Sequence, residues 1–310
     1  MTTINVNKVP YAIMFHHFHP DGEQPAAQGS TTPGDLRKNI EYIGVENILP
    51  AHIWQEKAIS NTLNERDICL TFDDALKSQI KYALPVLKEY GLTAFWFIYS
   101  SVFLGHKERL EIYKYFYNKY FPDFNSFYNV FKENLIQSEY GQLYLEKICE
   151  FSPGKYLSEF AFYSDIGREY RFIRDQILGR EKFQAIMDRI LFNYKVDIDD
   201  ISKHLWMDND DLLNLSLTGH IVGLHSFSHP TDLKSLDPFQ QEKEYKMNKQ
   251  HIQEITQQEP LSVSHPCNSY NEYTLKLLSE MGIKVGFRAN FVKMKHYSAL
   301  EHPREDHVRL

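Results

Sequence analysis

Cysteine is scarce, with three residues in 310, at positions 69, 149 and 267, and no Cys-x-x-Cys pair. That excludes a disulfide framework and suits a reducing compartment. With 14 glycines and 13 prolines, collagen-like and low-complexity chains are excluded as well. Positive charge is not in excess: 34 Lys and Arg stand against 41 Asp and Glu, a formal net charge of −7. This balance argues against a protein living on phosphate backbones or anionic lipid, and leaves open a local basic pocket. No hydrophobic run is long enough to span a bilayer, the longest being residues 93–105. Residues 1–11 hold no basic stretch followed by an apolar one, so no signal peptide is visible and a cytoplasmic protein is expected. What is present is 43% apolar and 24% charged residues, the composition of a globular protein with a real core.

Short runs rich in β-branched and aromatic residues recur along the chain. They lie at Tyr11–Phe15, Ile68–Phe72, Thr93–Tyr99, His220–Leu224, Leu261–Ser264 and Val285–Phe287. Near-continuous apolar runs of this length fit strands buried on both faces of a parallel sheet. Helices fit between them, one N-capped by Asp208 and stopped by Gly219, another from about Glu272 to Met281. The alternation predicts an α/β fold, either an open sheet or a barrel. The segment 105–205 breaks it, with no clear strand and 22 of the chain's 44 aromatics. Phe183, Ile186, Met187, Ile190 and Leu191 follow helical spacing there. The expected division is therefore an α/β body of residues 1–104 and 206–310 with a largely helical, aromatic-rich insertion, 105–205. The insertion is either a substrate lid or extra core and dimer surface.

The residues that carry chemistry cluster where strands end, which is where α/β folds bind ligands. Asp73 and Asp74 follow the second strand. Adjacent carboxylates repel unless a cation or a proton separates their roles, although a turn in which one Asp caps a helix is the plainer reading. His225 and His229, in H-S-F-S-H, follow the fourth strand at a spacing that puts both imidazoles on one side. One carboxylate and two imidazoles leave coordination positions open for water, as catalytic zinc requires. His16, His17 and His19 follow the first strand, and His17-x-His19 is itself a pair able to ligate a metal. Ser264-His265-Pro266-Cys267-Asn268 ends the fifth, where Cys267 has no visible activating partner. Pro303-Arg304-Glu305-Asp306-His307 reads as a charged tail or as a cap that delivers Arg304 to the site.

In this order the segments resemble the polysaccharide deacetylases, carbohydrate esterase family 4, which share the nodulation-factor deacetylase homology domain. The resemblance rests on I-M-F-H at 13–16, T-F-D-D at 71–74, H-S-F-S-H-P at 225–230, H-P-C-N-S-Y-N at 265–271 and P-R at 303–304. It implies a distorted (β/α) barrel and metal-dependent removal of an acetyl group from a sugar. By the same resemblance Asp74, His225 and His229 would hold a divalent metal, usually zinc, with Asp73 as general base and a site histidine at His16. Three departures stand out. Ala75 replaces the usual glycine, which requires a turn that avoids positive φ. The arginine expected before Pro266 is absent, so Arg304 or His265 takes its place in orienting Asp73. The family's Asp–Trp and Leu-x-His motifs are not recognisable.

The mechanism expected from these residues has Asp73 deprotonating a water and a backbone N–H near Cys267 or Asn268 steadying the oxyanion. His16, or else His17, protonates the leaving amine. His17, His265, Pro266, Cys267, Asn268 and Arg304 are the expected substrate-contacting set. The expected substrate is an acylated sugar carried on a nucleotide or a lipid, a cytoplasmic precursor of surface polysaccharide. Nucleic acid is not expected as a partner. The alternatives are a hydrolase of a small cyclic amide or ureide, with or without metal, and an inactive sugar-binding protein.

Overall fold

The computed structural model describes residues 9–23, 29–158, 163–292, 294 and 298–310; the residues 1–8 on which the signal-peptide reading rests lie outside this set. The chain divides into two compact units. One comprises Met1–Glu23, Thr31–Glu108 and Trp206–Leu310, the other Gln24–Ser30 and Arg109–Leu205. No helix among the described residues is long and apolar enough to cross a membrane.

The first unit is built on seven strands, β1 (Tyr11–Phe15), β2 (Ile68–Asp73), β3 (Phe95–Ile98), β4 (Ile221–Leu224), β5 (Ser262–Ser264), β6 (Val285–Phe287) and β7 (Arg304–Asp306). Their order is β6-β5-β4-β3-β2-β1-β7, and every pairing is parallel. The segment entering β7 closes this sheet on itself. Arg304 pairs with Ala12 of β1, while His302 bridges to Phe287 of β6 and exchanges hydrogen bonds with Gly286 and Arg288. Gly286 is needed there, because a Cβ would lie 2.3 Å from the Leu300 carbonyl oxygen. The expected (β/α) barrel is thus present, distorted by short strands and by a closure that depends on this one segment.

Residue parity along the strands sets what lies inside. Ile13, Phe15, Leu70, Phe72, Trp96, Ile98, Leu224 and Val263 belong to one large core cluster that includes helix residues such as Leu36, Leu87, Leu212 and Leu278. The alternate residues Ala12, Cys69, Phe95, Phe97, Val285 and Phe287 form a second cluster, joined by Trp54 of the helix Ala51–Ile59. The Trp54 ring lies 5.1 Å from that of Phe287 and edge-on to Phe95 at 5.9 Å. Apolar residues therefore fill the interior. Continuing the same parity to the carboxyl ends of the strands brings up Thr71, Asp73, His225 and Ser264, so the interior turns polar there.

The helices follow their sequence signals. Asn209–Leu217 starts in a capping box made by Asp208 and Asp211, and Glu272–Glu280 in one made by Asn271 and Thr274. The segment 303–307 departs from the charged-tail reading. It is a buried strand, because its backbone completes the ladder and Arg304 has an ionic partner inside. Among its described residues the second unit is helical, with helices including Arg109–Tyr120, Phe124–Ile136 and Gly179–Asn193. Its core is a lattice of rings in which Tyr170 meets Phe131 at 4.9 Å, with Tyr113, Phe127 and Phe183 around them. Phe183, Ile186, Met187, Ile190 and Leu191 are all buried.

Candidate active site

Asp74, His225 and His229 come together beyond the ends of β2 and β4, with one potential ligand atom from each within 4.8 Å of the others. Asp74 Oδ1 lies 3.4 Å from Nε2 of both histidines. Two bonds of about 2.1 Å at a tetrahedral angle separate their ligand atoms by about 3.4 Å, so this spacing suits a zinc-sized cation. Two further observations support the fit. Asp74 Oδ1 is buried and accepts no hydrogen bond. His225 Nδ1 lies 2.8 Å from the Ser264 carbonyl, which makes Nδ1 the donor and leaves Nε2 bare for a ligand. Burial pushes the Asp74 carboxyl up, but His225, His229 and His16 hold it well below the usual carboxylate range. His225 is raised despite burial by Asp73 and Asp74. Carboxylate and imidazole thus favour each other's charged forms, the electrostatics of facing groups of opposite charge.

Asp73 is turned the other way, toward Arg304. Arg304 Nη1 donates to Oδ1 at 2.8 Å and Nη2 to Oδ2 at 2.7 Å, a bidentate pair with neither side chain open to solvent. Ser264 joins it, donating to Asp73 Oδ2 at 3.1 Å and accepting from Arg304 Nη2 at 2.7 Å. Burial raises the Asp73 carboxyl, yet Arg304, His225 and His16 bring it below its ordinary value of 3.8, so it is ionised at neutral pH. His16 Nε2 and His225 Nε2 each stand 3.9 Å from Asp73 Oδ2. Gln79, fully buried, donates to the carbonyls of His16 at 2.8 Å and Asp73 at 2.6 Å and so ties the ends of β1 and β2 together.

The backbone around these side chains is unusual. Ten described non-glycine residues have positive φ. Six of them, Asp74, Ala75, Ser226, His229, Cys267 and Asn268, lie in the three loops after β2, β4 and β5. Strained backbone concentrates where side chains must be aimed. Ala75 is among them at φ 53°, so the expectation of a turn without positive φ is corrected. Its methyl group is fully buried in the main core, and such burial, about 0.8 kcal/mol per group, offsets part of the left-handed cost.

The remaining expected residues separate into two groups. His17 is half-buried, with its ring stacked near His16 at 6.5 Å. His19 is buried with its pKa lowered, chiefly by burial, and lies outside the metal cluster. His265 is corrected as a substrate contact. It has no exposed surface, Nε2 bonds to the Leu300 carbonyl at 2.8 Å, and its ring stacks on Tyr270 at 4.2 Å. Arg304 is likewise closed to solvent and reaches the site only through Asp73, Ser264 and Thr71. Pro266 is buried while Cys267 is exposed. The Asn268 N–H is taken by the His265 carbonyl, and its Oδ1 accepts from Ala289, so it is not the oxyanion donor. Ser264 was named from sequence only as the start of its segment, without a role, and Gln79 was not named. Ser264 had a signal, since it stands beside His265 at a strand end on the inward parity; Gln79 had none.

The family profile described as polysaccharide deacetylase matches residues 60–114 and 194–286. Among curated proteins none matches significantly. Among solved structures, the deacetylase PplD of Streptococcus pyogenes, in complex with acetate, is 15% identical with a TM-score of 0.55. That match covers 96% of this chain and 93% of that one. A de-N-acetylase from Aggregatibacter actinomycetemcomitans is 10% identical with a TM-score of 0.56, covering 95% and 93%. The deacetylase domain of BpsB from Bordetella bronchiseptica is 13% identical with a TM-score of 0.52, covering 96% and 95%. At these identities the likeness is one of fold.

Proposed function

Because this chain belongs to the polysaccharide deacetylase family, we propose that it removes an N-acetyl or related N-acyl group from a sugar with the help of a divalent cation, zinc in the first instance, held by Asp74, His225 and His229. The observation that carries this reading is the buried carboxylate oxygen 3.4 Å from two imidazole nitrogens beside a separately ionised Asp73. A bound cation supplies Lewis acidity toward the acyl oxygen and acidifies water. The protein's own groups do the rest. Asp73, fixed by Arg304 and Ser264, accepts the proton of the attacking water. His16, partly exposed and 3.9 Å from Asp73, returns a proton to the leaving amine nitrogen. The pair Arg304–Asp73 keeps the base ionised and oriented, so its geometry does not have to be set anew at each turnover.

The substrate we favour is an acylated sugar on a nucleotide or lipid carrier, a precursor in surface polysaccharide synthesis, met in the cytoplasm. The absence of any disulfide among the cysteines, with Cys69 buried as a thiol, supports a reducing compartment. The test is elemental analysis of purified wild type and His225→Ala, with acetate release measured on N-acetylated oligosaccharides and nucleotide sugars. Near-stoichiometric metal lost in the variant, together with acetate release by wild type, is the expected outcome. A wild type that holds no metal and takes up none from added zinc would overturn the metal-dependent reading. Release from free oligosaccharides alone would overturn the precursor assignment.

A further inference from the structure

The loop that carries His225 and His229 leaves β4 with Ser226 at φ 63° and His229 at φ 52°, although neither is glycine. Left-handed backbone costs about 1–2 kcal/mol per residue and persists where the surroundings over-determine it. The surroundings here come from the helix Pro238–Thr256. Glu244 Oε2 accepts the N–H of Phe227 at 2.9 Å and of Ser228 at 2.7 Å, and Oε1 accepts the Ser228 hydroxyl at 2.6 Å. One turn further along, the fully buried Asn248 accepts the His225 N–H at 2.9 Å. Its amide donates to the Ile98 carbonyl and to Ser100. The Ser226 hydroxyl accepts the His229 N–H at 3.1 Å.

The bonds to Glu244 are the strong ones. Two successive backbone N–H groups and a hydroxyl converge on one half-buried carboxylate, a concave cluster of donors that favours an anion. They hold the two residues just before His229, whose Nε2 must remain 3.4 Å from Asp74 Oδ1.

We infer that Glu244 is a positioning residue of the metal site, fixing the 227–228 backbone so that His229 is aimed at the cation before one arrives. This rests on the reading of Asp74, His225 and His229 as metal ligands; Glu244 bonds to the two residues that precede His229. Outer partners of this kind change metal affinity by roughly 10- to 100-fold.

The test is titration of full-length, metal-stripped protein with Co2+ against a competing chelator, with the visible absorption recorded. Wild type is expected to bind one Co2+ with a four-coordinate spectrum. Glu244→Ala is expected to bind roughly 10- to 100-fold more weakly, with shifted visible bands. Glu244→Gln can accept both N–H groups on its oxygen and donate to Ser228, and is expected to restore affinity to within a few-fold. Thermal unfolding of the stripped proteins reports any general loss of stability separately. An alanine variant with wild-type affinity and spectrum would overturn the inference. So would a glutamine variant as weak as alanine, since position without charge would then count for nothing. If Glu244→Ala does not fold, Ser228→Ala removes one of the three bonds and is expected to weaken binding about fivefold; unchanged affinity there also overturns it. A wild type that binds no Co2+ overturns the ligand assignment itself, a result distinct from equal binding by wild type and variant.

Discussion

Replacing Arg304 by methionine removes a guanidinium whose five N–H donors are all taken, by the Arg288 carbonyl, Thr71, Ser264 and both oxygens of Asp73. The volume is nearly kept, but Asp73 is left as a buried charge without its main partner. Breaking a buried pair from one side costs about 3–5 kcal/mol. In wild type the Asp73 pKa is depressed, so the pair's stabilisation is complete above the ordinary value of 3.8 and lost as pH falls through the lower folded value. In the variant, burial is no longer opposed by Arg304, and the Asp73 pKa is expected above its unfolded value. Ionisation then costs stability at every pH above that unfolded value. The deficit should be largest at neutral pH and shrink toward about pH 4, where a protonated Asp73 needs no partner. Urea denaturation at neutral pH and about pH 5 measures both points. The double variant Asp73→Asn/Arg304→Met should recover most of the lost stability and none of the activity. An Arg304→Met protein within about 1 kcal/mol of wild type at neutral pH, or a deficit that does not change with pH, would refute the reasoning.

Asp73→Asn alone should retain metal while turnover falls by about 10²- to 10⁴-fold, the usual worth of a general base; normal turnover removes Asp73 from that role. Gln79→Leu leaves the carbonyls of His16 and Asp73 without their amide partner. It should cost about 2 kcal/mol in urea denaturation and lower kcat at unchanged metal content. Burial pushes His220, His265 and His302 down to about 4, so each stays neutral in the fold. Their contribution is present above the unfolded value of about 6.5 and lost as pH falls from there toward 4, up to about 3 kcal/mol for each. In His220→Gln the slope of stability against pH over that window should fall by the share of one histidine; an unchanged slope shows that His220 is not held neutral.

Six of the seven strands were legible because a parallel barrel buries both faces of each, and the sequence at Tyr11–Phe15 or Phe95–Ile98 is apolar throughout. The seventh, Arg304–Asp306, carries three charged residues and no hydropathy signal. It is a strand because Ala12 pairs with it and Asp73 receives its arginine. Metal-site candidates were legible for a related reason. Asp74, His225 and His229 stand at strand ends, and strand ends share one layer. What holds the site was less so: Ser264 and Asp73 meet across 191 positions and Asn248 and Ile98 across 150, while Gln79, only 6 positions from Asp73, carries no local signal of its role. The left-handed turn at Ala75 was hidden too. Local preference argues against it, and it is the packing of the methyl group that offsets the preference.

The closing segment gives the molecule a kinetic order of assembly. Asp74, His225 and His229, with their supports from Ser264 and the helix Pro238–Thr256, need β2 to β5 in place, whereas the Asp73 partner arrives on β7, 231 positions away in sequence. The residues of β7 are the last in the sequence to join the sheet, and the closure is expected to follow the pairing of β1 to β5. A refolding chain that has joined β1 to β5 but not docked residues 302–306 would capture a cation and yet have an uncompensated carboxylate where the base belongs. Metal uptake is therefore expected to run ahead of regained activity in a stopped-flow refolding experiment, the lag between them timing the closure of the barrel.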